Sequence, residues 1–163
     1  MIKHTLVFTL LISGILGGCG ENAITEQQIQ LTPPPADFIS PYRFIKFRLE
    51  AASDILKTAA NADGSITTNT AQYKTRYNSI DGVITYSEIY LLETAPCSQT
   101  ESFDPVAILN AVAVNPKILE ERDRMAHLAT YYDHQESLKI SVTCEQDGAP
   151  IVVRFSNKYY QSE

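Results

Sequence analysis

The sequence predicts an α+β domain in which an antiparallel four-stranded sheet, built from two hairpins, has helices packed on one face. Two hairpin patterns predict the sheet: residues 73–92 and 138–155 each contain two strand-like runs with an Asp-Gly pair in the turn region. Three helix starts predict the helices, because Ser, Asp or Asn directly precedes proline at residues 40, 104 and 115. The predicted order of elements is α-β-β-α-α-β-β.

The first predicted helix begins at Ser40-Pro41, where serine can cap the helix and proline suits its first turn. It ends near residues 61–64, because Gly64 can take the left-handed conformation that terminates helices. Between these limits, apolar residues recur at spacings of three and four, as on a buried helix face: Phe44, Phe47, Ala51, Ile55 and Ala59.

The first predicted hairpin turns at Asp81-Gly82, a pair typical of type I′ turns. Pairing outward from this turn places Tyr77 opposite Tyr86 and Tyr73 opposite Tyr90, so that the four rings share one face. Such a face could bind a glycan or a peptide, and it is the candidate binding face of the sequence. Cross-strand aromatic pairs under a covering helix are the commoner arrangement, so core packing is the favoured interpretation.

The middle of the chain predicts two helices. Asp104-Pro105 and Asn115-Pro116 repeat the cap-plus-proline pattern, which predicts helices over residues 105–113 and 116–132. The second is amphipathic, because apolar residues alternate with a charged stretch at helical spacing.

The last predicted hairpin contains the most regular strand. Its two strands alternate apolar and polar residues around the turn at residues 146–150, which predicts one inward face. The predicted inward residues are Leu138, Ile140, Val142 and Cys144 on the first strand, and Ile151, Val153 and Phe155 on the second.

The N-terminal segment has the order of a secretion signal. A short start with Lys3 precedes an apolar run of about a dozen residues, which is too short to span a bilayer. Leu16-Gly17-Gly18-Cys19 follows directly, and this stretch resembles the lipobox of bacterial lipoproteins. The resemblance implies that residues 1–18 are a signal peptide removed before Cys19. It also implies a diacylglycerol on the Cys19 sulfur, and therefore a membrane partner for the lipid.

The residues after the cysteine carry the sorting and tether predictions. Gly20 stands where, by the Gram-negative sorting rule that accompanies the resemblance, aspartate would favour the inner membrane. We therefore expect the outer membrane, on its periplasmic side. Residues 19–40 lack periodicity and include Pro33–Pro35, which predicts a tether. A single globular domain is predicted over residues 41–163.

The two other cysteines predict a disulfide. With Cys19 lipidated, Cys97 and Cys144 form an even pair in an exported chain. The alternative, two free buried thiols, is less expected outside the cytoplasm.

Charge and motifs exclude several classes of function. The net charge of −6 gives no basic patch for nucleic acid. Glu120, Asp123 and His127 could share a helix face and hold a metal, and acidic residues flank His134, but no metal-site spacing such as H-E-x-x-H occurs. No nucleophile elbow or phosphate-binding loop is present either. The sequence therefore predicts no catalytic, cofactor or metal-binding residue.

Together these observations favour a lipid-anchored, non-catalytic protein of the cell envelope with a protein partner there. It would be a protein-binding module or an accessory of an envelope assembly. An inhibitor or immunity-type lipoprotein is the alternative, and a small envelope hydrolase is a third and weaker interpretation.

Overall fold

The chain folds around a seven-stranded antiparallel sheet in a computed structural model that describes residues 31–92, 97–98 and 103–157. The strands lie in the order β1-β2-β3-β7-β6-β5-β4. Their bounds are β1 Ser65–Asn69, β2 Tyr73–Ile80, β3 Val83–Leu91, β4 Glu120–Met125, β5 Leu128–Asp133, β6 Leu138–Thr143 and β7 Ile151–Asn157. The helices are α1 Leu49–Leu56 and α2 Pro105–Ala111, with 3₁₀ turns at Pro41–Phe44 and Pro116–Ile118.

The predicted fold class, an α+β domain with four strands, is wrong. The two predicted hairpins are present as β2–β3 and β6–β7, and they meet at the centre of the sheet where β3 pairs with β7. Strands β1, β4 and β5 extend this centre on both sides, and only two short α-helices lie in the described residues.

The predicted helix over residues 116–132 is replaced by β4 and β5. The Asn115 side chain does accept a hydrogen bond from the Lys117 N–H, but the helix that it starts is a single 3₁₀ turn. All six side chains of β4 are exposed, so no apolar helix face is available to pack on the core. The following residues, LATYYD, include the aromatic and β-branched types that favour strands, and Ala129 and Tyr131 are buried on one face.

The first predicted helix is interrupted because the backbone groups of Lys46 and Phe47 form hydrogen bonds to strand β3 instead of bonds within a helix. Lys46 has a positive φ of 75° and donates its N–H to the Ile84 carbonyl at 2.8 Å. Ile84 in turn donates to the Phe47 carbonyl at 2.9 Å. Helix α1 starts only after this exchange, and it ends at Leu56, where Lys57 takes a left-handed conformation. Gly64 is left-handed as predicted, with a φ of 74°, but it lies in the turn before β1 and does not end the helix.

Strand β1 is absent from the prediction. Its sequence, SITTN, contains a single apolar residue, Ile66, which is fully buried opposite Tyr77. One apolar residue gives no readable alternation, so the only strand signal there is the β-branched run Ile66, Thr67 and Thr68.

Helix α2 confirms the predicted cap. The Asp104 carboxylate accepts hydrogen bonds from the N–H groups of Val106 and Ala107, at 2.9 and 3.2 Å. Tyr73 then ties the end of this helix to the sheet by donating its hydroxyl to the Ala111 carbonyl at 3.0 Å. Helix α2 therefore lies on the inner face of the sheet, the face that carries the core.

The inward face of the second hairpin is confirmed. The seven predicted inward residues are at most 2% exposed: Leu138, Ile140, Val142, Cys144, Ile151, Val153 and Phe155.

The predicted disulfide is also confirmed. Cys97 and Cys144 are bonded, with their Cα atoms 5.7 Å apart, and both residues are buried. Two backbone hydrogen bonds hold Cys97 on the turn after β6: its N–H donates to Ala149, and Gly148 donates to its carbonyl. The disulfide and these two backbone hydrogen bonds therefore both attach Cys97 to the segment that follows β6.

Two residues within the predicted tether, Leu31 and Phe38, pack against the core. The ring of Phe38 is 4.9 Å from the ring of Tyr73, and Leu31 packs on the core. Tyr42 continues this attachment by donating its hydroxyl to the buried carboxylate of Asp133. The lipobox and Cys19 lie outside the described residues, so lipidation stays a prediction.

Candidate functional site

The predicted tyrosine face divides between the two sides of the sheet. The Asp81-Gly82 turn is confirmed, since both residues have positive φ. A register shift lies between Asn78 and Ser79, and beyond it Tyr77 pairs with Ser87 and not with Tyr86. A one-residue shift exchanges the two faces of a strand, so the predicted pairing of the tyrosines is wrong.

Tyr73 and Tyr77 consequently lie in the core, at 4% and 1% exposure. Tyr86 and Tyr90 lie on the opposite side, which we call the outer face. The inner face packs against Phe44 and α2, because the Phe44 ring contacts Tyr77 edge-on. The outer face therefore points away from the helices.

Arg154 lies at the centre of the outer face, on the central strand β7. Its Nε is 3.0 Å from Oε1 of Glu88 on β3, and one terminal nitrogen donates to the Thr143 hydroxyl at 2.9 Å. The other terminal nitrogen contacts the Glu145 carboxylate. One guanidinium thus joins Glu88 on β3, Thr143 at the end of β6 and Glu145 just after β6.

Two tyrosines complete the coordination of Glu88. Tyr86 donates its hydroxyl to Glu88 Oε1 at 2.7 Å, and Tyr90 donates to Oε2 at 2.9 Å. The three residues occupy alternate positions of β3, so their side chains emerge on the same face. We call Tyr86, Glu88, Tyr90 and Arg154 the outer-face network.

The electrostatics of the network fix its protonation. Burial raises the pKa of Glu88, but the hydrogen bonds from Tyr86, Arg154 and Tyr90 outweigh it and hold the pKa below its ordinary value. Burial raises the pKa of Tyr86, and Glu88 raises it further. Burial lowers the pKa of Arg154, but its carboxylate partners outweigh this and raise the pKa above the ordinary value.

At neutral pH the carboxylate and the guanidinium are therefore charged and the phenols keep their protons. None of these groups is poised to transfer a proton near neutrality. The network is suited to holding its side chains in fixed positions.

The outer face continues to both sides with cation–aromatic pairs. Lys74 lies 5.8 Å from the ring centre of Tyr90, on the β2 side. Arg122 lies 5.5 Å from the ring centre of Tyr132, on the β4 side. Tyrosine and arginine are the residue types enriched in protein–protein interfaces and their hot spots.

The residues considered for a metal site do not share a helix face. Glu120 and Asp123 lie on β4, and His127 lies in the turn before β5. Glu120 contacts His134 and Arg122 instead. Within residues 31–92, 97–98 and 103–157, no group of three or more His, Cys, Asp or Glu residues could hold a metal ion.

Sequence reasoning missed Glu88, Arg154 and Tyr132 as members of a site. The outward position of Arg154 could be predicted from the sequence, since it stands between the inward residues Val153 and Phe155. What was not visible is the strand pairing that places β3 beside β7 and so brings Glu88 to Arg154.

Comparisons with known proteins add nothing to this geometry. No family model and no curated protein matches the chain. Among solved structures, it is similar to a cysteine-rich secretory protein from Staphylococcus aureus subsp. aureus Mu50, with a TM-score of 0.40 and 10% sequence identity. The match covers 78% of this chain and 48% of that protein, so the chain spans about half its length. A similarity this remote carries no argument about function.

The described helices are also too short or too polar to cross a bilayer.

Proposed function

We propose that the chain is a lipid-anchored, non-catalytic lipoprotein of the cell envelope that binds a protein partner through the outer face of its sheet. The observation that supports this most strongly is the outer-face network. Arg154 and Glu88 are held by several hydrogen bonds each, although their side chains keep 21% and 15% exposure.

Pre-organisation favours binding. Association costs less when interface side chains are already fixed, because their rotamer entropy is lost in folding and not in binding. Here the two tyrosine hydroxyls are fixed by Glu88, and the rings keep a partly exposed surface. A partner with its own polar groups around an apolar centre would fit this surface.

The anchor is the second part of the proposal. The resemblance of Leu16-Gly17-Gly18-Cys19 to a lipobox supports lipidation at Cys19. Two or more acyl chains would make the membrane attachment stable, since each buried methylene contributes about 0.8 kcal/mol. Gly20 supports the outer membrane, facing the periplasm, as the location.

Site-specific photo-crosslinking tests the binding face. We would place a benzophenone amino acid at Tyr86 or Tyr132 in the full chain in cells, with Lys117 as an exposed control position off the sheet. We expect both outer-face positions to crosslink the same envelope protein and the control position to give no such product. Arg154→Ala should reduce the crosslink.

Crosslinking of equal strength from Lys117, or no product from either tyrosine position, would contradict the proposal. The size of the product separates the remaining alternatives. A component of a large assembly supports an accessory role, whereas one small soluble protein supports the inhibitor or immunity role.

A further inference from the structure

The two edges of the sheet differ in chemistry. Strand β4 forms one edge, and five of its six residues are charged, in the sequence EERDRM. Charged edge strands oppose the addition of another strand. Strand β1 forms the other edge, and none of its five residues is charged. Edge β1 thus lacks the protection that β4 has.

The backbone of β1 leaves hydrogen-bonding groups at this edge. Thr70 donates to Tyr73 at 2.8 Å, which fixes the even-numbered residues as those that bond to β2. The Ser65 carbonyl instead accepts from Asn61, away from β2. Because a strand repeats every two residues, the N–H and C=O groups of Thr67 and Asn69 also point away from β2.

A pocket of about 620 Å³ opens beside these groups. This volume is in the range of ligand-binding pockets. Its walls are the segment 35–39, the end of α1, and strands β1 and β2, and its apolar residues are Pro35, Phe38, Ile39, Ile55 and Leu56.

Two hydroxyls that form no hydrogen bond within the described residues line the pocket. Tyr77 is 1% exposed and Thr75 is 3% exposed, and neither side chain forms a hydrogen bond within the described residues. Neither hydroxyl oxygen is among the fully buried side-chain atoms that lack a partner, so both are accessible from the pocket. The pocket therefore offers two accessible hydroxyls to the polar group of an occupant.

We propose that an extended peptide of a second protein adds to β1 as a further strand and inserts one uncharged side chain into this pocket. The backbone groups of Thr67 and Asn69 would pair with the peptide, as in other cases of strand addition. The apolar walls would bind the side chain, and Tyr77 and Thr75 would hydrogen-bond its polar end. A lipid or a sugar offers no matching row of N–H and C=O groups. This site is separate from the outer-face network and does not depend on it.

Phage display of random peptides of about ten residues, long enough for one strand, provides the probe. The full chain in detergent would select peptides, and amide hydrogen exchange would map the best one. We expect slower exchange at Thr67 and Asn69. We expect Thr67→Pro, which removes an outward N–H, to weaken binding about tenfold or more. Lys117→Ala, at an exposed position off the sheet, should leave binding unchanged.

Tyr77→Phe keeps the test decisive even if the proline variant fails to fold. Removing a hydroxyl that has no partner should leave the melting temperature equal or higher, while peptide binding weakens. A merely structural tyrosine would show the opposite effect on stability.

Several results would overturn the proposal. They are the absence of any selected peptide, unchanged binding by both variants, or protection of amides elsewhere. If the amides of Thr67 and Asn69 exchange more slowly when only the protein concentration is raised, the occupant of this edge is a second copy of the chain and not a peptide of another protein. A compound that occupies the pocket without protecting these amides would assign it to a small molecule.

Discussion

Replacing Arg154 with methionine should lower the free energy of unfolding by about 2 kcal/mol. The change removes the guanidinium bonds to Glu88, Thr143 and Glu145 and leaves the Glu88 carboxylate without its cation. Breaking a fully buried ion pair costs about 3–5 kcal/mol. Here the side chains keep 21% and 15% exposure, so water compensates part of this cost.

Urea unfolding of the full chain at neutral pH measures this loss. Arg76→Met is the matched control, because Arg76 pairs with Asp63 at 3.1 Å while both side chains are about half exposed, at 46% and 57%. This exposed pair should contribute little to the free energy of unfolding, because water screens its charges. The double variant Arg154→Met/Glu88→Leu should recover most of the loss, since no charge is then left unpaired. Equal losses in Arg154→Met and Arg76→Met would refute the argument from burial.

Three further predictions concern acid sensitivity, the disulfide and the anchor. The pKa of Glu88 is lowered on folding, so its carboxylate stabilises the fold above the unfolded-state pKa, and this contribution is lost as pH falls through the folded-state pKa. Glu88→Gln should therefore flatten the acid side of the melting temperature plotted against pH, and a curve parallel to that of the wild type would argue against this. Cys97→Ala/Cys144→Ala should lower the free energy of unfolding by up to about 4 kcal/mol, from the chain entropy of a 47-residue separation, and an unchanged melting temperature would contradict it. Cys19→Ser should abolish labelling by a palmitate analogue in cells, and retained label would exclude lipidation at Cys19.

The parts of the fold that could be predicted depend on strong local signals. Asp81-Gly82 allowed the first hairpin turn to be predicted, because few residue pairs accept positive φ twice. The carboxylate of Asp104 similarly marked the start of α2. The helix predicted over residues 116–132 is wrong because a cap and a helical spacing were both present, but strand pairing of β5 with its neighbour β6 outweighed them.

The candidate site was predictable only in part, because it depends on register. The tyrosines of the first hairpin were recognised, but the shift between Asn78 and Ser79 moved Tyr86 and Tyr90 to the other face. Such an irregularity has no sequence signal in the alternation of β3. The Arg154–Glu88 contact also requires the pairing of strands that are far apart in sequence, which local patterns do not specify.

The position of β7 has a consequence for the order in which the molecule can form. Strand β7 is the last described strand in the sequence, yet it lies between β3 and β6. Until it is synthesised, the sheet can exist only as two three-stranded halves, β1-β2-β3 and β4-β5-β6, with an open slot between them. Cys97 follows the first half and Cys144 ends the second, so their bond can join the halves before the slot is filled. A chain truncated before Ile151 would therefore retain both cysteines and lack the strand that closes its sheet.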